Sequence, residues 1–175
     1  MKRAFFFSLA LLGACGTSSG GDNEPPVTTV GQSVWTPSVL EIIAASDGGG
    51  FVPAPPAGST CQFGAVRYTL GVAARSLAWT RCQGQAPTPY SEVSGNKTLT
   101  DAELKDLSQT LGNLRVVGNQ GACGADKPLL TIAVRTSGGS VTFADSFYAC
   151  SIKDKPLLES RAVDAAFQKF SALAK

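Results

Sequence analysis

Histidine is absent from all 175 residues of the chain. That excludes Ser-His-Asp and Cys-His nucleophilic arrangements, and it removes both the commonest metal ligand and the side chain that titrates nearest neutral pH. Cys-x-x-Cys pairs are missing as well, so the cysteines lack the spacing of a four-thiolate zinc site. Beyond the N-terminus no apolar run approaches the length of a membrane span. What remains is short of reactive groups, and any catalysis would have to rest on carboxylates or lysines. The chain is therefore read as a non-enzyme, with no cofactor and no metal.

The N-terminus is the most explicit stretch. Lys2 and Arg3 make a positive start, residues 5–12 are apolar, and small residues lead to a cysteine. This is the layout of a secretory signal peptide, too short to cross a bilayer as a permanent helix. Leu12-Gly13-Ala14-Cys15 resembles the lipobox of bacterial lipoproteins. The resemblance implies that the Cys15 thiol receives a diacylglyceryl group, that the lipoprotein signal peptidase cuts just before it, and that the new amine is acylated. An ordinary signal peptide with a chance cysteine is the plainer alternative; the spacing from the charged start and the linker that follows favour lipidation. Each buried methylene contributes about 0.8 kcal/mol, so two or three acyl chains anchor durably where one does not. Gly16 stands where, in that family, an aspartate would argue for retention in the inner membrane. The implied location is the cell envelope, in the outer membrane if the source is Gram-negative.

Removing Lys2 and Arg3 with the signal leaves thirteen basic residues against thirteen acidic ones. A balance near zero lacks the electrostatic footprint of a nucleic-acid binder, and it provides no polybasic hold on a membrane surface. The expected membrane contact is thus the lipid on Cys15 alone. Three segments follow: residues 1–14 as signal peptide, 15–33 as lipidated cysteine and flexible tether, and 34–175 as one α+β domain. The tether is small, polar and Pro-punctuated, with nothing to bury. A domain of this length buries roughly two-thirds of the surface its unfolded chain exposes.

Four cysteines lie in the domain, Cys61, Cys82, Cys123 and Cys150. An even count in an exported chain reads as two disulfides, with three connectivities open. A hairpin over residues 61–82, turning between Gly71 and Val72, sets Val66 opposite Leu77 and Cys61 directly opposite Cys82. The expected pairs are Cys61–Cys82 and, by a looser argument, Cys123–Cys150, since the Gly-rich segment 118–127 has to fold back to close the second.

Residues 39–45 are apolar and β-branched enough for a first strand, and residues 47–60 form a Gly- and Pro-dense loop. Residues 90–99 suggest a short strand interrupted by a turn at Ser94-Gly95-Asn96. Thr100-Asp101-Ala102-Glu103 is a capping box, with Leu104, Leu107 and Leu111 on one stripe as far as Gly112. Residues 114–117 suit another strand, and residues 129–148 a second hairpin turning at Ser137-Gly138-Gly139-Ser140. A closing helix spans residues 159–173, with Val163, Ala166, Phe167, Phe170 and Leu173 on one face. One greasy face per element predicts an antiparallel sheet built from two hairpins plus short strands, with both amphipathic helices on one side.

Three further patterns have plain readings. Ser94-Gly95-Asn96-Lys97 fits Ser-x-x-Lys, the motif of penicillin-recognising acyl enzymes, but no Ser-Asp-Asn or Lys-Thr-Gly accompanies it, so it reads as a turn. The glycines at 118, 121 and 124 are too widely spaced for a dinucleotide fingerprint. Asp145 breaks the apolar face of Val141, Phe143 and Phe147. It marks either a bulge or strand end, or a buried carboxylate paired with an arginine such as Arg81.

The functional expectation is a lipid-anchored envelope protein with a non-catalytic binding or structural domain, its candidate partners being other envelope proteins. The alternative is an inhibitor or sensor of envelope proteases or hydrolases that presents a Pro-rich loop beside Cys61 or Cys82, partly preorganised by the disulfide.

Overall fold

A computed structural model of the chain describes residues 23–49, 54–119, 124 and 126–175. Cys15 and Cys123 lie outside them, as do the lipobox and part of each Gly-rich loop. The elements run β1 (Val39–Asp47), β2 (Ala65–Gly71), β3 (Ser76–Gln83), β4 (Ser91–Thr98), α1 (Asp101–Leu111), β5 (Val116–Val117), β6 (Leu130–Thr136), β7 (Gly139–Asp145), a 3-10 turn (Ser146–Tyr148), β8 (Leu157–Leu158) and α2 (Ser160–Leu173).

The strands form one eight-stranded sheet in the order β4-β3-β2-β1-β6-β7-β8-β5. Every pairing is antiparallel except β7 with β8. The class is α+β, as the one-faced elements require.

Alternation decides which side is covered. Leu77, Leu70, Ile42, Val134 and Val141 form one row across β3, β2, β1, β6 and β7, and Trp79, Tyr68, Ala44, Ile132 and Phe143 form the next. These residues share one core with Leu107 and Leu111 of α1 and with Val163, Ala166 and Phe170 of α2. Tyr68 stacks on Phe170 at 5.4 Å and meets Phe167 edge-on at 6.2 Å. Such offset and edge contacts suit the ring quadrupoles.

The capping box at Thr100 is formed in full: Glu103 N–H donates to Thr100 Oγ1 (3.2 Å), and Glu103 Oε2 accepts from Thr100 N–H (2.9 Å). The closing helix begins one residue later than expected, because Glu159 turns back to accept from Ala162 N–H as its cap.

Four expectations are corrected. The first hairpin pairs Leu70 with Leu77 and Val66 with Arg81, so its turn is centred near Ala73 and Ala74. Cys61 therefore lies before β2, not opposite Cys82, and the bridge is made by the loop folding back. Second, Ser94-Gly95-Asn96 is no turn; β4 runs straight through it. The Trp79 ring lies over Gly95, where an added Cβ would come within 2.3 Å of ring carbon Cζ2. An indole covering a strand glycine replaces the packing a side chain would give. Third, the β6–β7 turn is the two-residue loop Ser137-Gly138, because Thr136 pairs with Gly139. Fourth, the second hairpin ends at Asp145, where the chain enters the 3-10 turn.

Residues 23–34, expected in or next to the tether, are hydrogen bonded to this fold. Glu24 O accepts from Thr136 Oγ1 (2.5 Å) and from Gly138 N–H (3.3 Å). Gly31 N–H donates to Val116 O, and Val34 N–H to Leu114 O. This segment covers the β5 edge, while β4 forms the opposite edge of the sheet.

Candidate functional site

Of the cysteines named from the sequence, Cys61 and Cys82 are bridged, with Cα atoms 5.7 Å apart. Cys150 is disulfide-bonded and exposed. Its expected partner Cys123 lies outside the described residues, as does the expected lipid site Cys15.

The Cys61–Cys82 bridge sits among the two Pro-rich loops. Thr60 N–H donates to Tyr90 O at 2.9 Å, and Tyr90 N–H to Ser59 Oγ at 2.9 Å. Ser59 in turn bonds Pro56 O through both its N–H and its hydroxyl. Phe63 packs on Tyr90 with ring centroids 5.7 Å apart. Residues 54–60 and 84–90 are thus tied to one another while most of their side chains stay exposed. No charged residue occurs in either stretch. This cluster lies at the end of the sheet where β1 finishes and β2 begins, opposite the end where Glu24 meets the β6–β7 turn.

The second place of chemical interest is Asp145. It is fully buried at the last position of β7, and its partner is Lys127, not Arg81. The reason is topological. Arg81 is on β3, four strands from β7 in the sheet order, or about 19 Å at ~4.8 Å per strand. Lys127 instead comes from the loop before β6. Gly124 N–H donates to Phe147 O at 2.8 Å, and Lys127 N–H donates to Tyr148 Oη at 3.2 Å. The Gly124 approach leaves no room for a side chain, since a Cβ there would overlap the Phe147 ring.

Lys127 Nζ lies 2.6 Å from Asp145 Oδ2, 2.6 Å from Asp164 Oδ1 and 3.1 Å from Ser160 Oγ. The Phe147 ring centroid is 5.3 Å away, within cation–π range. Asp145 Oδ1 accepts from Phe147 N–H at 2.9 Å, so both carboxylate oxygens are satisfied. Burial pulls the Lys127 pKa down, but the hydrogen bonds and charges of Asp145 and Asp164 together outweigh it, and the net shift is upward. These contacts fasten a loop to the sheet end and to the start of α2. Sequence reasoning singled out Asp145 but missed Lys127, which lies in a Gly-rich loop with no periodicity to orient it.

Among the described residues, no set of three or more Cys, Asp or Glu side chains is grouped to hold a metal ion, and no helix is long and apolar enough to cross a membrane.

Comparison with family models, with curated proteins and with solved structures gives no match to this chain.

Proposed function

We propose that the chain is a lipid-anchored lipoprotein of the cell envelope whose α+β domain serves as a non-catalytic binding or structural module. The observation that carries the anchor is the run from Lys2-Arg3 through the apolar residues 5–12 to Leu12-Gly13-Ala14-Cys15. The module reading is supported by the ionic cluster at Lys127, whose charged groups are paired with one another. With Gly16 after the cysteine, an outer-membrane destination follows for a Gram-negative source. The test is mass spectrometry of the N-terminal peptide from the membrane fraction. A diacylglyceryl-modified, acylated Cys15 is expected; an unmodified N-terminus beginning elsewhere overturns the anchor.

A second reading is favoured by the knitted Pro-rich loops. Under it, the domain inhibits or senses an envelope protease or hydrolase by presenting residues 54–60 and 84–90 as a preformed surface. Loops already ordered by a disulfide and mutual hydrogen bonds forfeit less entropy on docking. Capture of a secreted hydrolase from envelope extract, lost on grafting Gly-Ser repeats in place of residues 85–89, is the outcome that separates this reading from the first.

A further inference from the structure

The helices cover one side of the sheet; the other carries no helix among the described residues. Two rows cross the middle of that face: Asn96, Ala78, Thr69, Ile43, Ala133 and Thr142, and beside them Ser94, Thr80, Arg67, Ala45 and Thr131, the second row ending at Ala144, which is buried against Ala149 and Leu157. Hydroxyls, one amide, alanines and Ile43 make up the rest of both rows, and Arg67 is their single charge. The other strand arginines are occupied: Arg135 pairs with Glu41 at 3.2 Å, and Arg81 lies against the Gln83 side-chain amide, whose oxygen accepts from Arg81 Nε when the amide is assigned in its hydrogen-bonding orientation. Arg67 is exposed and has no hydrogen-bond or ion-pair partner among the described residues.

Its surroundings are concave. Two adjoining depressions, of about 280 and 450 Å³, run over β2, β3 and β4, and both are lined by Arg67 and Thr80. Thr69, Ser94 and Asn96 edge the first; Cys82 and Glu92 close the second. Thr80 Oγ1 and Ser94 Oγ are 3.0 Å apart, and either can be the donor, so one hydroxyl hydrogen stays free to turn toward a ligand. A guanidinium fork beside hydroxyl donors matches the two oxygens of a carboxylate. One cation balances a monoanion, whereas Glu92 within the trough disfavours a phosphate dianion. Glu92, exposed and unpaired among the described residues, faces the same trough two strands over and two residues along. Strand spacing and rise place its Cα about 12 Å from that of Arg67.

We infer that this trough binds a short zwitterionic peptide, with its terminal carboxylate on Arg67 and its ammonium toward Glu92, and its backbone over Thr80 and Cys82. The site rests on the reading of the domain as a binding module and is independent of the lipid on Cys15.

The experiment is calorimetric titration of the purified full chain with tri-alanine, its C-terminal amide, its N-acetyl form and inorganic phosphate. Tri-alanine is expected to saturate with a Kd of about 1 mM or below. Amidation should weaken binding about tenfold or more, as loss of a charge-assisted pair does, and acetylation should weaken it less. Arg67→Gln should abolish the difference between acid and amide, and Glu92→Gln the effect of acetylation. Both side chains are exposed, so unfolding midpoints should stay at the wild-type value; the blocked peptides test the site on the unmutated chain regardless. Equal binding of acid and amide, phosphate binding more tightly than tri-alanine, or no saturation below about 10 mM overturns the site. Binding of an envelope protein to the chain in that event leaves the module reading standing, and absence of both removes it.

Discussion

Lys127 Nζ and Asp145 Oδ2 meet at 2.6 Å at the end of β7, with the lysine side chain 19% exposed and the carboxylate wholly enclosed. One ionic contact therefore joins the Gly-rich loop before β6 to the sheet, and through Asp164 to α2.

Asp145→Asn is expected to lower stability by about 1–3 kcal/mol, because the neutral amide leaves Lys127 with one carboxylate in a partly desolvated place. The loss is smaller than for an isolated buried pair, since Asp164 remains. Urea unfolding monitored by Trp fluorescence reads it, and an unchanged midpoint overturns the assignment. The raised Lys127 pKa gives a matching pH dependence. Its contribution is fully present below the ordinary lysine value of 10.5 and is lost as pH rises through the higher folded value. The difference between wild type and Lys127→Met should shrink above about pH 10.5.

Glu103 supplies the acid-side counterpart. Bonds from the Thr100 backbone, from Lys97 and from the Thr100 hydroxyl hold its carboxyl down from 4.5 to about 2. The stabilisation is present above the unfolded value and disappears as pH falls from 4.5 towards 2. Glu103→Gln should therefore lower the thermal midpoint at neutral pH, with the gap to wild type closing as the solution approaches about pH 2. A gap independent of pH would assign the loss to something other than this charge.

The elements with strong periodicity are legible in the sequence. Leu107 and Leu111, the Thr100 box, and the Val163–Phe170 face all announce amphipathic helices. Tyr68, Leu70 and Leu77 announce their strands by alternation. Register is not legible, because a shift of the first hairpin turn from Gly71-Val72 to Ala73-Ala74 keeps every one of those residues on the same face. Pattern alone cannot distinguish two registers of equal parity. Gly95 misleads for a related reason. Ser-Gly-Asn has turn chemistry, and only the Trp79 ring from the next strand makes it a strand. Lys127 and the docking of residues 23–34 depend on contacts distant in sequence, so no local signal marks them.

Gly138 tests that docking. A Cβ there would come within 2.5 Å of the Glu24 carbonyl carbon and 2.6 Å of Pro25 N, both backbone atoms that cannot swing aside. Gly138→Ala should displace residues 23–26 and break the two hydrogen bonds to Glu24 O, costing about 1–2 kcal/mol. Limited proteolysis should then cut near residues 23–30 markedly faster than in wild type, while the sheet and helices stay protected. Unaltered cleavage in this stretch would show that the approach at Gly138 is not what holds it.

The Cys61–Cys82 bridge carries the last prediction. It closes a loop of sequence separation 21, and in the chain-entropy model a closure of that size stabilises by about 3 kcal/mol. The hairpin register does not impose the bridge, since Cys61 is outside β2; the bridge and the bonds among Thr60, Ser59 and Tyr90 together hold residues 54–60 against residues 84–90. Replacing both cysteines by serine should therefore do two separable things. The urea midpoint should fall by the equivalent of about 2–4 kcal/mol, and the protected Pro-rich loops should become protease-sensitive even where the remaining sheet is folded. If stability falls but the loops remain protected, the bonds between Thr60, Tyr90 and Ser59 suffice to order them. If neither changes, the bridge is dispensable, and the preorganised surface on which the inhibitor reading depends owes nothing to it.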